Sequence, residues 1–398
     1  MAAEGSILVE LGIIAGSALA LSLITWMLHL PVALGQLIAG MIIGPYGLKL
    51  VTNISTIGAM AEIGIVLLLF VVGLELDPFE LVAARTEVVV FSFTEITASF
   101  LAGLLAGLLM GWNLRESILL AGVVCISSTA LVIRSLRERG GLTEASSRVI
   151  MSALIIEDVI AVLILSIVPG LAAGTSPTLF EAASWIIRGA LLVFAILVCG
   201  LYLAPRIIDR ISQLEFDLDE AGFLLSISLG FAMAVLSSVL GFPAATGAFL
   251  MGLVILGKRA RFVRRKIRPV HDLFLVIFFV SMGMLVDPSE FLNLSITLPI
   301  IVLALVGKYG GSYLGATVSG LGKEGGAIGT EMTPRGEFSF IIAREASLTG
   351  AARTSIYPIA GSVVLATTLV SALAQIPRIK NRKGISWRTS TDHDAASD

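Results

Sequence analysis

SSRVIMSALIIEDVIAVLILSIVP, residues 146–169, carries two acids, Glu157 and Asp158, midway along an otherwise apolar run. At about 1.5 Å per helical residue, roughly 20 apolar residues cross the hydrocarbon of a bilayer. One charge held near the bilayer centre costs at least about 2.5–3.5 kcal/mol on insertion scales. Two adjacent carboxylates also repel, so at least one must hold a proton or a cation.

The whole chain follows that stretch. Of 398 residues, 56% are hydrophobic and only 14% charged, and the mean hydropathy is +0.96. Soluble domains carry about 25% charged residues, so this composition is that of a polytopic membrane protein. The 40 glycines suit close packing of helices in lipid. A net charge of −2 gives no pull toward nucleic acid. Cys125 and Cys199 fall inside apolar runs and read as small core residues. The N-terminus lacks a signal-peptide pattern, and the run from Ser6 to Leu28 is long enough for a retained first span.

Apolar runs against breaks give about thirteen helical spans and an all-α fold. Their expected limits are 6–28, 31–47, 54–76, 86–111, 115–136, 146–169, 180–203, 220–240, 243–257, 270–286, 294–320, 324–348 and 353–376. The membrane domain is expected over 1–376, with a short, disordered cytoplasmic tail over 377–398. Most of the 27 lysines and arginines fall on one side, in the loop carrying Arg134, Arg137, Arg139 and Arg148, the run from Lys258 to Arg268, and the tail. Lys49, Arg115 and Arg353 fall on the other. By the positive-inside rule the N-terminus lies outside the cell membrane and the C-terminus in the cytoplasm.

The two halves repeat. Pro31-Val-Ala-Leu-Gly35 through Gly40 matches Pro243-Ala-Ala-Thr-Gly247 through Gly252 at an offset of 212. Phe70-Val-Val-Gly73 through Asp77-Pro78 matches Val280-Ser-Met-Gly283 through Asp287-Pro288 at an offset of 210. The matched spans are second with ninth and third with tenth, an odd shift, so the repeats have inverted topology. Secondary transporters are built this way, with the site at the repeat interface near the midplane.

Cys125-Ile-Ser127-Ser128-Thr129 and Thr333-Pro334-Arg335-Gly336-Glu337 interrupt two spans in their middles. Pro removes a backbone donor and Gly weakens a helix, so both spans are expected to break and cross. Opposed dipoles and free carbonyls would then face an ion, with Ser127, Ser128 and Thr129 adding oxygens. Lys308 lies in mid-span in IVLALVGKYGGSYLGA, where it needs a carboxylate; Glu157 and Asp158 are the expected partners. Arg335 and Glu337 are expected to pair with each other or with Glu62 or Glu95, acids buried in the third and fourth spans. Acids that accept either a proton or a cation are the working part of an ion/proton exchanger.

These residues resemble the monovalent cation:proton antiporter-2 family, which takes in Kef-type potassium efflux systems and NapA-type sodium/proton antiporters. The resemblance lies in Gly35-Gln-Leu-Ile-Ala-Gly40, Gly44-Pro45, Glu62 through Asp77, Ser127-Ser-Thr-Ala130, the acid pair, Phe278-Phe-Val-Ser-Met-Gly283, Lys308 and Thr333-Pro-Arg-Gly-Glu337. It implies a homodimer in which a six-helix core moves like an elevator against a scaffold. The scaffold would be residues 1–80 and 220–290, the core 86–169 and 294–376, and the linker helix 180–203. Asp158 would be the shared proton and cation site, Glu157 its companion, and Ser128 and Thr129 nearby ligands. Lys308, Arg335 and Glu337 would form the supporting charge network. The transported ions would be Na⁺ or K⁺ (Li⁺ is a further candidate) and H⁺, with no cofactor. Glu157-Asp158 departs from the Asp-Asp of sodium-type members and the Gln-Asp of Kef types. The C-terminal nucleotide-binding domain of Kef types is missing, which leaves a separate soluble regulatory subunit at the basic run 258–268 as the expected form of any such control.

Two rival classes fit less well. A gated potassium channel would need a filter of stacked carbonyls, and no Thr-Val-Gly-Tyr-Gly-like run is present. A serine hydrolase needs a base beside its nucleophile, and His29, His271 and His393 sit at span ends or in the tail.

Overall fold

In hydrocarbon a backbone must satisfy its own hydrogen bonds, and the apolar runs accordingly become helices. The computed structural model describes residues 7–28, 30–76, 85–139, 142–172, 179–203, 206–207, 218–255, 257–287, 294–353 and 355–380. In chain order the helices are α1 (Ile7–Met27), α2 (Val32–Ile43), α3 (Ile54–Glu75), α4 (Thr86–Leu109), α5 (Leu114–Cys125), α6 (Thr129–Arg139) and α7 (Glu144–Ala172). There follow α8 (Leu179–Leu197, continued by a π-helical stretch Val198–Leu203), α9 (Leu218–Val239), α10 (Ala244–Val254), α11 (Gly257–Met284), α12 (Leu294–Val318), α13 (Gly325–Met332), α14 (Glu337–Leu348) and α15 (Ile356–Lys380). Among the described residues eight helices are long and apolar enough to cross a membrane: α1, α3, α4, α7, α9, α11, α12 and α15.

Two boundaries differ from expectation. The basic run 258–268 is not a loop but the first half of α11, which continues through Pro269. Lys and Arg are good helix formers, so the charges that mark a membrane boundary do not interrupt the helix. Arg264 in that half reaches Glu75 at the end of α3, 3.8 Å away. The last helix continues past Pro377 to Lys380. The expected tail from 381 onward, and Asp77, Pro78, Pro288 and Glu290, lie outside the described residues.

The sequence repeat becomes two matching helix crossings. α2 and α10 each start directly after a proline, Pro31 and Pro243. At the crossing of α2 with α11, a β-carbon on Gly40 would run into the Val280 carbonyl, and one on Gly283 into the Leu37 carbonyl. At the crossing of α3 with α10, one on Gly73 would meet the Phe249 carbonyl, and one on Gly252 the Phe70 carbonyl. Glycine is required because backbone lies against backbone, the close approach that membrane helices use. Each repeat lends one glycine to each crossing.

Helix packing separates two groups. α3 packs on α10 and α11, and α2 on α1 and α11, while α4 packs on α12 and α5, and α14 on α5, α7 and α15. The second group surrounds the interrupted helices.

Candidate functional site

α5 ends at Cys125, three residues run extended, and α6 begins at Thr129. α13 ends at Met332 and α14 begins at Glu337, after Thr333-Pro334-Arg335-Gly336. The two interruptions cross and satisfy one another's backbones. Ser127 and Arg335 form an isolated antiparallel β-bridge. The Ser128 N–H donates to the Pro334 carbonyl at 2.8 Å, and the Ser127 hydroxyl to the Met332 carbonyl at 2.9 Å. A β-carbon on Gly336 would lie 2.6 Å from Ser128 Oγ, so the tight crossing needs glycine there. Unpaired backbone at this depth would be costly. Two helix C-termini and two N-termini thus converge at one point.

Charged side chains complement those ends. Lys308 Nζ, on α12, donates to the Cys125 carbonyl at the C-terminus of α5 at 2.7 Å. It also donates to Glu157 Oε2 at 2.9 Å and lies 2.6 Å from Glu95 Oε2, all three side chains being fully buried. Glu157 is further held by the Ser127 backbone N–H at 2.5 Å and the Ser127 hydroxyl at 3.3 Å. Successive helical residues point about 100° apart, so Asp158 faces elsewhere. Its Oδ1 accepts from the Thr129 hydroxyl at 3.0 Å. Glu337 opens α14, and its Oε2 is 3.5 Å from the Ser128 hydroxyl, which donates to it.

The expected pairings are corrected in three places. Lys308 binds Glu157 and not Asp158, and shares itself with Glu95. Among the described residues Arg335 pairs with no acid: Nη1 donates to the Thr333 carbonyl at 2.8 Å and Nη2 to the Ala304 carbonyl at 2.9 Å. The Thr333 carbonyl lies just past the end of α13 and the Ala304 carbonyl within α12, and together they take two of the guanidinium's donors without a second desolvated charge, while Nε has no partner among the described residues. Glu62 is exposed on α3. Sequence reasoning missed the role of Glu95, although it is a mid-span acid of the kind that singled out Glu157 and Asp158. The signal was the glycine pair around Lys308. At Gly307 and Gly311 α4 comes so close that a β-carbon on Gly311 would lie 2.9 Å from the Glu95 carbonyl oxygen.

Among the described residues, four buried carboxyls (Glu95, Glu157, Asp158, Glu337) and two buried cations (Lys308, Arg335) are joined by hydrogen bonds or ion pairs to the crossing or to one another, and Glu331, near the end of α13, is a further buried acid. Buried charges need compensation, and protons or small cations are the groups that could neutralise a surplus of acid. A cavity of about 230 Å³ reaches the crossing, lined by Ser128, Arg335 and Gly336 on one side and by Gln36, Leu37 and Phe279 of α2 and α11 on the other.

Comparison with known proteins shows the family and the fold. Residues 14–376 match the family described as sodium/hydrogen exchanger, transmembrane. The chain is 27% identical over 345 residues to the Na(+)/H(+)-K(+) antiporter GerN of Bacillus cereus, covering 86% of this chain and 88% of GerN. It is 32% identical over 305 residues to the glutathione-regulated potassium-efflux system protein KefC of Escherichia fergusonii, covering 75% of this chain and spanning only 48% of KefC. The fold matches that of the sodium proton antiporter MjNhaP1 from Methanocaldococcus jannaschii with a TM-score of 0.66 at 17% identity, over 93% of this chain and 97% of that one. The chain belongs to the sodium/hydrogen exchanger transmembrane family, among the monovalent cation:proton antiporters.

Proposed function

We propose that the protein exchanges Na⁺ or K⁺ for protons by alternating access, with Asp158 as the shared proton and cation site. The surplus of buried carboxyls over buried cations at the crossing carries this reading, because an exchanger must be neutralised by either of its two ions. Asp158 is the member best suited to bind and release. Thr129 alone among the described residues donates to it, whereas Glu157 is held by Lys308 and Ser127. Asp158 deprotonates on one side and takes the cation with oxygens from Thr129 and Ser128. The site then turns to the other face, where a proton displaces the ion. Glu157 leaves Lys308 to complete the cation site, and Lys308 reclaims it when the cation has gone. Arg335 and Glu337 hold the crossing in shape.

α4–α7 with α12–α15 form the moving core, and α1–α3 with α9–α11 form the scaffold, joined by α8. The separation of packing between the two groups supports this division. Counting each interrupted pair as one span and admitting the shorter helices α2, α8 and α10 gives thirteen crossings, N-terminus outside and C-terminus inside. The protein works as a homodimer in the cell membrane and needs no cofactor. Its basic half of α11 is the surface that a separate soluble regulatory subunit would use. The names of GerN and KefC support Na⁺ and K⁺ as the candidate cargoes.

Purified protein in liposomes with a lumenal pH dye tests the reading. Adding Na⁺ or K⁺ outside an acid-loaded vesicle is expected to drive protons out. If K⁺ runs down its gradient without moving protons, a gated potassium channel replaces the exchanger.

A further inference from the structure

Lys308 Nζ donates to the Cys125 carbonyl at 2.7 Å and to Glu157 Oε2 at 2.9 Å, and forms an ion pair with Glu95 Oε2 at 2.6 Å. The ammonium therefore has two carboxylate partners, on α7 and on α4. Glu157 has further bonds to Ser127. Glu95 Oε1 meets no donor at hydrogen-bond geometry among the described residues, although the side chain is fully buried. Its backbone is held close to the helix of Lys308, where Gly311 and Gly307 let α12 lie directly on α4.

We infer that Glu95 is a positioning residue, the standing counter-ion of Lys308 that frees Glu157 to bind the transported cation. The inference rests on the reading of Asp158 and Glu157 as the cation site. With Glu95 in place, Lys308 stays paired when Glu157 turns away. Without it, departure of Glu157 would strand a buried ammonium, which is strongly unfavourable. Sharing Lys308 between two acids also weakens its hold on Glu157, so an incoming cation competes against half a salt bridge.

The test is transport by Glu95→Gln and Glu95→Asp in proteoliposomes, read as cation KM against maximal rate. Glu95→Gln leaves Lys308 with Glu157 and the Cys125 carbonyl, so the fold should survive. Its cation KM should rise about tenfold, equivalent to about 1.4 kcal/mol, with the maximal rate near that of wild type. Glu95→Asp keeps the charge but withdraws it from Nζ, since the α4–α12 contact prevents the backbone from following, and should raise KM similarly. An unchanged KM in Glu95→Gln overturns the inference. So does wild-type KM in Glu95→Asp, which would mean that charge alone matters, and so does unfolding of both variants, which would make Glu95 structural. If wild type exchanges cations and these results fail, only the role of Glu95 falls. If wild type exchanges nothing, the functional reading falls with it.

Discussion

Asp158→Asn is expected to reduce cation/proton exchange to the level of protein-free liposomes, a loss of at least about a hundredfold if the carboxylate is the shared site. The substitution keeps size and shape, and an amide oxygen can still accept from the Thr129 hydroxyl, 3.0 Å from Oδ1 in the wild type. It also removes a charge from a side chain that is only 3% exposed, so the fold should be no less stable. The loss would come from chemistry alone: an amide neither gives up a proton nor balances a cation. Transport in proteoliposomes, with size-exclusion profile and thermal midpoint as controls, checks both halves. A folded variant that retains a tenth of wild-type exchange would contradict the assignment.

Lys308→Gln is expected to produce the largest loss of stability. Lys308 is fully buried with Glu95 and Glu157, and it donates to a helix-terminal carbonyl that has no other donor described. Removing one partner from a buried ion cluster typically costs about 3–5 kcal/mol, because the remaining charges stay uncompensated. Here two carboxylates would be left facing each other. The thermal midpoint in detergent should fall by several degrees, and addition of Na⁺ or K⁺ should restore part of the loss, since a bound cation supplies the missing charge. Exchange that survives should lose its electrogenic component if it has one. An unchanged midpoint together with unchanged transport would remove Lys308 from the site.

Much of this architecture is legible in the chain because each part is a local violation of a strong rule. Acids in the middle of apolar spans are expensive, so Glu157, Asp158 and Lys308 stand out without a structure. Thr333-Pro-Arg-Gly-Glu337 breaks a helix by backbone chemistry, and the interruption lies where the residues place it. The repeated glycines Gly40, Gly73, Gly252 and Gly283 are visible as a pattern, and their meaning as two backbone-on-backbone crossings follows once the helices pack. What stays hidden depends on which helix lies beside which. Glu95 is separated from Lys308 by more than two hundred residues, and only the packing of α12 on α4 joins them. Arg335 looks as if it needs an acid because the carbonyls it meets, one at the break and one on the neighbouring α12, are invisible in a sequence. Glu62 resembles Glu95 in its apolar setting, yet lies on an outward face of α3. The basic half of α11 reads as a loop because the charge rule marks where lipid ends and says nothing about where a helix ends.

The most direct test of the central claim is the cation KM of the wild-type protein in proteoliposomes, measured across a series of pH values. If proton and cation compete for Asp158, each unit of acidification below the range where the site is empty should raise KM about tenfold or more while the maximal rate at saturating cation holds, as linkage at one shared site requires. A KM that does not change with pH, while protons still move, would mean that proton and cation occupy separate groups and would contradict the account.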